Sequence, residues 1–315
     1  MPRLFSRTIN EDPINIWSCS ARKLEEPFPP RCDTIEVPFR HMTVPPDSPI
    51  KIIACDDKMN TEKIKEYVNG LQDFYFLSAE GLVGIVKKPF YLKDTVEQMD
   101  YAGAGSSLII LLVSLFIGMA LSLQLSAELS SLGLKMYTGM IVGISVIREI
   151  GPVTAALVFA GRVGAGMASE LGSMILGHQV DTLRVFGVDP IKKLVTPRIF
   201  SSLVMLPSLT IIGDAVSLLG GYYISVFVSH QSSTFYWSSI RDVLTFENVF
   251  AGSLKPFIFG YLIACISCHM GLSTRGGALG LRRSTTRAVV VSMIVVIISD
   301  FMMTRILLDV LGFSV

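Results

Sequence analysis

The sequence predicts an all-α integral membrane protein, with about five transmembrane helices, an N-terminal interfacial helix and a cytoplasmic coupling helix. Three observations carry this. Half of the 315 residues are hydrophobic and only 17% are charged, against about 25% in a soluble domain. Mean hydropathy is +0.55. Five apolar stretches are long enough to cross a hydrocarbon core of about 30 Å at about 1.5 Å per helical residue. The net charge of +1 and the lack of any basic run with interleaved aromatics exclude a nucleic-acid partner.

The elements follow in order. Residues 1–60 hold Pro27, Pro29, Pro30, Pro38, Pro45, Pro46 and Pro49, which break helices and fit no strand. They read as an extended or disordered arm, with a short strand at Ile50–Ala54. Glu11, Asp12 and Pro13 stand where a signal peptide would be apolar, so the first span is expected to serve as the insertion signal. Residues 61–100 read as interfacial and lead-in helices. Leu71, Phe74, Leu77, Leu82, Val83 and Val86 can lie on a membrane surface, with Lys87 and Lys88 at the headgroups. Residues 101–315 form the transmembrane domain. The spans are expected at 102–127, 138–168, 197–228, 249–272 and 288–311, with loops at 128–137, 169–196, 229–247 and 273–287.

Basic residues set the orientation. Arg275, Arg282, Arg283 and Arg287 fall in the last loop. Arg184, Lys192, Lys193 and Arg198 fall in or beside the 169–196 loop. The alternate loops hold Lys135 and Arg241. The two basic loops and the N-terminus are therefore expected in the cytoplasm, and the C-terminus outside.

Ionisable residues inside spans are costly and mark sites or ties between helices. Arg148 and Glu149 adjoin in the second span, before Gly151-Pro152, where the proline predicts a kink. They suit either a lipid headgroup or an ion pair between spans. Asp214 and Asp300 lie near the middle of the third and fifth spans. Each needs a cation or a hydrogen-bonding partner, and Arg148 is a candidate for either. Interhelical ties are the favoured reading, over a proton relay. Arg305 and Asp309 can pair at i, i+4. Glycines and alanines crowd the second span, with Gly139-x-x-x-Gly143 among them, and predict close packing within the subunit or across a dimer.

In the 169–196 loop, Leu171, Met174, Ile175, Leu183 and Phe186 can share one helical face, which Gly187 and Pro190 end. Such a helix suits a partner that pushes on the membrane domain. Other chemistry is missing. The chain has no phosphate-cradling G-x-x-x-x-G-K-[S/T], no H-E-x-x-H and no G-x-S-x-G. Its four histidines are far apart and its five cysteines scattered. No cofactor, metal or catalytic residue is expected. Cys265-Ile-Ser-Cys268-His269 fits a haem-attachment pattern, but it lies within a span and reads as small packing residues.

Several separated motifs, in order, resemble the MlaE/YrbE family of permeases. They are Arg148-Glu-Ile-Gly-Pro152, Phe159-Ala-Gly-Arg162, Val188-Asp-Pro190, Pro197-Arg198, Ser284-Thr-Thr-Arg287 and Asp300-Phe301, with a lead-in of Lys88-Pro-Phe90 and Glu97-Gln-Met99. The resemblance covers about residues 85–312. It implies the permease subunit of an ABC-type transporter, homodimeric in the bacterial inner membrane and not itself an enzyme. The implied partners are a cytoplasmic ABC ATPase and an MCE-domain lipid-binding protein, and the implied cargo is phospholipid or a related lipid. It assigns the lipid cavity to Arg148, Glu149 and Ile150. It assigns ATPase coupling to the loop carrying Glu170, Gln179, Asp181, Arg184 and Pro190. The family's usual Glu-Gln is His178-Gln179 in this chain, which removes a negative charge from that contact.

Overall fold

Each apolar stretch becomes a long helix whose bends fall at prolines and glycines. The computed structural model describes residue 70, residues 72–85 and residues 91–310. The expectations for residues 1–60 and for Leu71, Val86, Lys87 and Lys88 lie outside the described residues. So does the Lys88-Pro-Phe90 motif. Among the described residues there is no strand.

Helix α1 (residues 72–85) precedes α2 (Leu92–Ala102) and α3 (Ala104–Ser131). Next come α4 (Thr138–Ser145), α5 (Gly151–Phe159), α6 (Ala165–Leu176), α7 (Gln179–Val185), α8 (Thr196–Tyr223), α9 (Ser233–Val243), α10 (Phe246–Leu272) and α11 (Gly277–Val310). Five segments are long and apolar enough to cross a membrane: Leu92–Ser131, Lys135–Leu176, Ile191–Val228, Phe246–Leu272 and Gly277–Asp309. The protein is a multi-pass membrane protein.

Four turns are wound wider than an α-helix, with i→i+5 bonds. They are Val146–Ile150, Ala160–Gly164, Ile191–Val195 and Ile224–Val228. The first explains what Pro152 does. A proline has no N–H for the carbonyl four residues back. The chain widens one turn earlier, and the Gly151 N–H bonds to the Val146 carbonyl. The expected kink is this widened turn, a feature common at functional sites.

Small residues join α3 to α8. Ser106, Ile110, Ser114, Gly118, Ser122 and Ser126 are buried at four-residue spacing on α3. Ser122 Oγ donates to the Gly221 carbonyl at 2.9 Å and meets Ser225 Oγ at 2.8 Å. A Cβ on Gly118 would run into the Ser217 carbonyl. In lipid, helices gain little from the hydrophobic effect on meeting, so close backbone approach and such bonds hold them.

Gly139 faces Tyr236 and Ser239, and Gly143 faces Ile240 and Val243. That pair of glycines therefore packs within the subunit, on α9. Helix α9 lies in a stretch expected to be loop. It buries Tyr236, Ile240 and Val243, and the Tyr236 hydroxyl donates to the Leu218 carbonyl at 3.0 Å. Burial holds that phenol above the ordinary tyrosine pKa.

Three further expectations are corrected. Helix α11 begins at Gly277, so Arg282, Arg283 and Arg287 sit on its first turns rather than in a loop. The helix continues past the apolar stretch because charged residues propagate helix well. Helix α1 does not lie wholly on a surface: Leu77, Gly81 and Gly84 are buried, and added Cβ atoms on the two glycines would strike Ile199 and Thr196 of α8. Its other side keeps Tyr75, Phe76, Leu82 and Val83 exposed. Finally, the apolar face from Leu171 to Phe186 is split between α6 and α7 by His178, whose φ is 55°. Leu171 enters the core with Met174, Ile175 and Leu183 packed on it, while Phe186 is 76% exposed.

Candidate functional site

Glycine brings the site together. Gly252 of α10 packs on the widened turn Val146–Ile150, where an added Cβ would strike the Ile147 carbonyl. Three residues on, and so on the same helical face, stands Lys255. Its side chain is only 2% exposed. Lys255 Nζ donates to Glu149 Oε2 at 2.8 Å, Asp300 Oδ1 at 2.9 Å and Thr304 Oγ1 at 2.8 Å. An ammonium has three donors, and all three are used. Thr304 Oγ1 also lies 3.2 Å from Glu149 Oε1. Asp300 and Thr304 sit one turn apart on α11, so the cluster ties α10 and α11 to the turn before α5.

The cluster lies roughly 15 Å along the helix axes from the ends next to the 229–247 loop. It is not sealed: the Glu149 side chain is 40% exposed and that of Asp300 19%. A lone buried ammonium would be costly, as would two carboxylates side by side. Together, with one face open, they form a satisfied polar patch in an apolar bundle.

The other sequence-predicted residues fall around it. Arg148 and Ile150 are half-buried neighbours of Glu149 in the widened turn. Asp214 of α8 abuts the same turn, since a Cβ on Gly151 would collide with its carboxylate. Asp300 is paired with Lys255, which corrects the expectation of Arg148 as its partner. The sequence reading passes over Lys255, although a lysine in a long apolar stretch is the same signal that picks out Asp214 and Asp300.

The residues expected to couple to an ATPase gather at the opposite end of the helices. Glu170 of α6 accepts from Arg198 Nη2 of α8 at 2.8 Å. The Arg198 side chain is buried and also bonds the Leu194 carbonyl. Gln179 opens α7 and is exposed. Asp181 lies 3.6 Å from Arg184 and 3.4 Å from His178. Helix α7 is closed by the turn after it, where Gly187 has a φ of 73° and the Val188 N–H returns to the Leu183 carbonyl. Arg184 and Pro190 line a cleft of about 390 Å³ that also takes in Asp73, Glu80 and His269.

The family model described as Permease MlaE matches residues 95–306. This chain belongs to the MlaE permease family. As an MlaE-family permease it is 36% identical over 237 residues to a probable ABC transporter permease protein of Rickettsia typhi, covering 75% of this chain and 92% of that one. It is 36% identical over 228 residues to the chloroplastic protein trigalactosyldiacylglycerol 1 of Arabidopsis thaliana, covering 72% of this chain and 65% of that one. It is 33% identical over 223 residues to the intermembrane phospholipid transport system permease protein MlaE of Haemophilus influenzae, covering 70% and 85%. The matched residues contain Arg148, Glu149, Lys255, Asp300 and Thr304, and the whole of α7.

Proposed function

We propose that this MlaE-family permease is the membrane subunit of an ABC-type transporter that moves phospholipid, or a related lipid, between inner and outer membrane. The observation that carries the reading is the half-open Glu149–Lys255–Asp300–Thr304 cluster beside Arg148, set in otherwise apolar helices. A guanidinium holds a phosphate through paired hydrogen bonds. Glu149, shared with Lys255, balances that charge when no headgroup is present. Apolar side chains of the surrounding spans carry the acyl chains. The resemblance to phospholipid permeases supports this cargo.

A separate cytoplasmic ATPase supplies the energy, and the chain itself hydrolyses no ATP. Its contact is the α7 region, where Val185 and Phe186 are 85% and 76% exposed beside Arg184. The Glu170–Arg198 pair links that region to α8. An MCE-domain protein outside and a second copy of this chain complete the assembly. The protein sits in the inner membrane, N-terminus in the cytoplasm and C-terminus in the periplasm, as the basic loops favour. A proton relay through Asp214 and Asp300 is the weaker reading, because Asp300 is engaged by Lys255.

The test is coupling. Purified alone, the chain shows no ATP hydrolysis above background. With the ATPase bound, charge reversal at Glu170 or Asp181 weakens assembly or uncouples hydrolysis from lipid transfer. Normal assembly and coupling in both variants removes α7 from the contact.

A further inference from the structure

Arg162 has no part in the site above. It lies in the widened turn Ala160–Gly164, thirteen residues beyond Glu149 and so about 20 Å farther along the span. It is half-buried. Among the described residues its guanidinium meets no carboxylate. Nη1 donates to Ser106 Oγ at 2.6 Å, and the guanidinium carbon lies 5.9 Å from the centre of the Tyr101 ring. Two glycines leave it uncovered. A Cβ on Gly105 would lie 2.8 Å from Nη2, and Gly161 beside it is exposed. An arginine has five N–H donors and never loses its charge in a protein. A bond to one serine leaves most of those donors free, and the charge unbalanced.

Its depth says what would balance it. Arg162 is level with the first turn of α3, just past Asp100, the last acid of α2. That is where a span leaves the headgroups. From Gly105 the exposed face of α3 runs on through Ile109, Leu112 and Phe116, at i, i+4, i+7 and i+11. A fixed cation therefore stands at the head of an open apolar track. A tie between helices would need only one neutral donor to Ser106, and a snorkelling arginine would reach past Tyr101 to water.

We propose that Arg162 holds the phosphate of an anionic phospholipid in the leaflet on the side of the 169–196 loop, with its chains along Ile109, Leu112 and Phe116. This site is separate from the Arg148 cavity and stands or falls without it.

The full chain is placed in phosphatidylcholine vesicles containing a trace of spin-labelled phosphatidylglycerol or spin-labelled phosphatidylcholine. The motionally restricted fraction gives the preference for the anionic lipid. Arg162→Gln lowers that preference about fivefold, the ratio for one basic group at an anionic surface. Arg287→Gln, at an exposed arginine, leaves it near the starting value. Gly105→Leu keeps the charge but covers the guanidinium, and lowers the preference as Arg162→Gln does. It decides the matter if Arg162→Gln fails to fold. An unchanged preference in folded Arg162→Gln, or in Gly105→Leu, overturns the proposal. So does displacement of the labelled lipid by excess inorganic phosphate, which would assign the site to a soluble anion.

Discussion

Replacing Lys255 by Met keeps most of the side chain's length and removes its charge. The Glu149 and Asp300 carboxylates then face each other with no ammonium between them, and Thr304 has one hydroxyl proton for two acceptors. Removing one partner from a buried ion pair costs about 3–5 kcal/mol. Glu149 is 40% exposed, so water relieves part of its half, and a loss of about 3 kcal/mol is expected. Removing the carboxylate charges as well is expected to rescue stability. In Lys255→Met/Glu149→Gln/Asp300→Asn the charges are gone together, and stability returns to within about 1 kcal/mol of the parent. Thermal unfolding of the purified full chain in one detergent, followed by tryptophan fluorescence and by loss of monodisperse protein, ranks the variants. A Lys255→Met protein as stable as the parent, or a triple variant no better than the single one, refutes the view that Lys255 is held in place by these carboxylates.

Other outcomes follow from the same geometry. Gly118→Ala drives a methyl into the Ser217 carbonyl and costs about 1–3 kcal/mol, whereas Gly161→Ala, whose Cβ would lie 3.7 Å from the Met293 methyl, leaves unfolding unchanged. Tyr236→Phe strips the Leu218 carbonyl of its donor and lowers stability by about 1–2 kcal/mol; an unchanged unfolding profile would remove α9 from the bundle's support. Single cysteines at the exposed positions Ser232 and Ser273, with the native cysteines replaced, report orientation. An impermeant thiol reagent added outside labels position 232 and spares 273, and the reverse pattern inverts the topology.

Apolar length alone located the five spans, since a stretch such as 102–127 has no other stable home. What it could not locate was helix outside the apolar runs. Helix α9 was hidden because Ser233, Ser238, Ser239 and Arg241 lower its hydropathy, although Tyr236, Ile240 and Val243 repeat at helical spacing. The start of α11 was hidden by its arginines, which read as loop and form helix. The division of α6 from α7 depends on one left-handed residue, His178, a conformation that few sequences announce. At the site, the motif Arg148-Glu149 was legible and its surroundings were not. Lys255 was visible as a charge in an apolar stretch. That it would bridge Glu149 and Asp300 depended on how closely α10 approaches, and Gly252 sets that approach. The serines of α3 were unreadable as an interface, because a small-residue stripe acquires meaning only once α8 is laid against it.

In the proposed function, lipid passes Arg148 under the power of a separate ATPase. This is tested most directly by ATP-driven transfer of fluorescent phospholipid from proteoliposomes, using the assembled complex with parent or Arg148→Ala permease. Both complexes are first shown to assemble and to hydrolyse ATP. The expected result is transfer that requires ATP in the parent and falls at least about tenfold in the variant, the loss of one charge-assisted phosphate contact. Equal transfer by the two complexes, or transfer by the parent that does not respond to ATP, contradicts it.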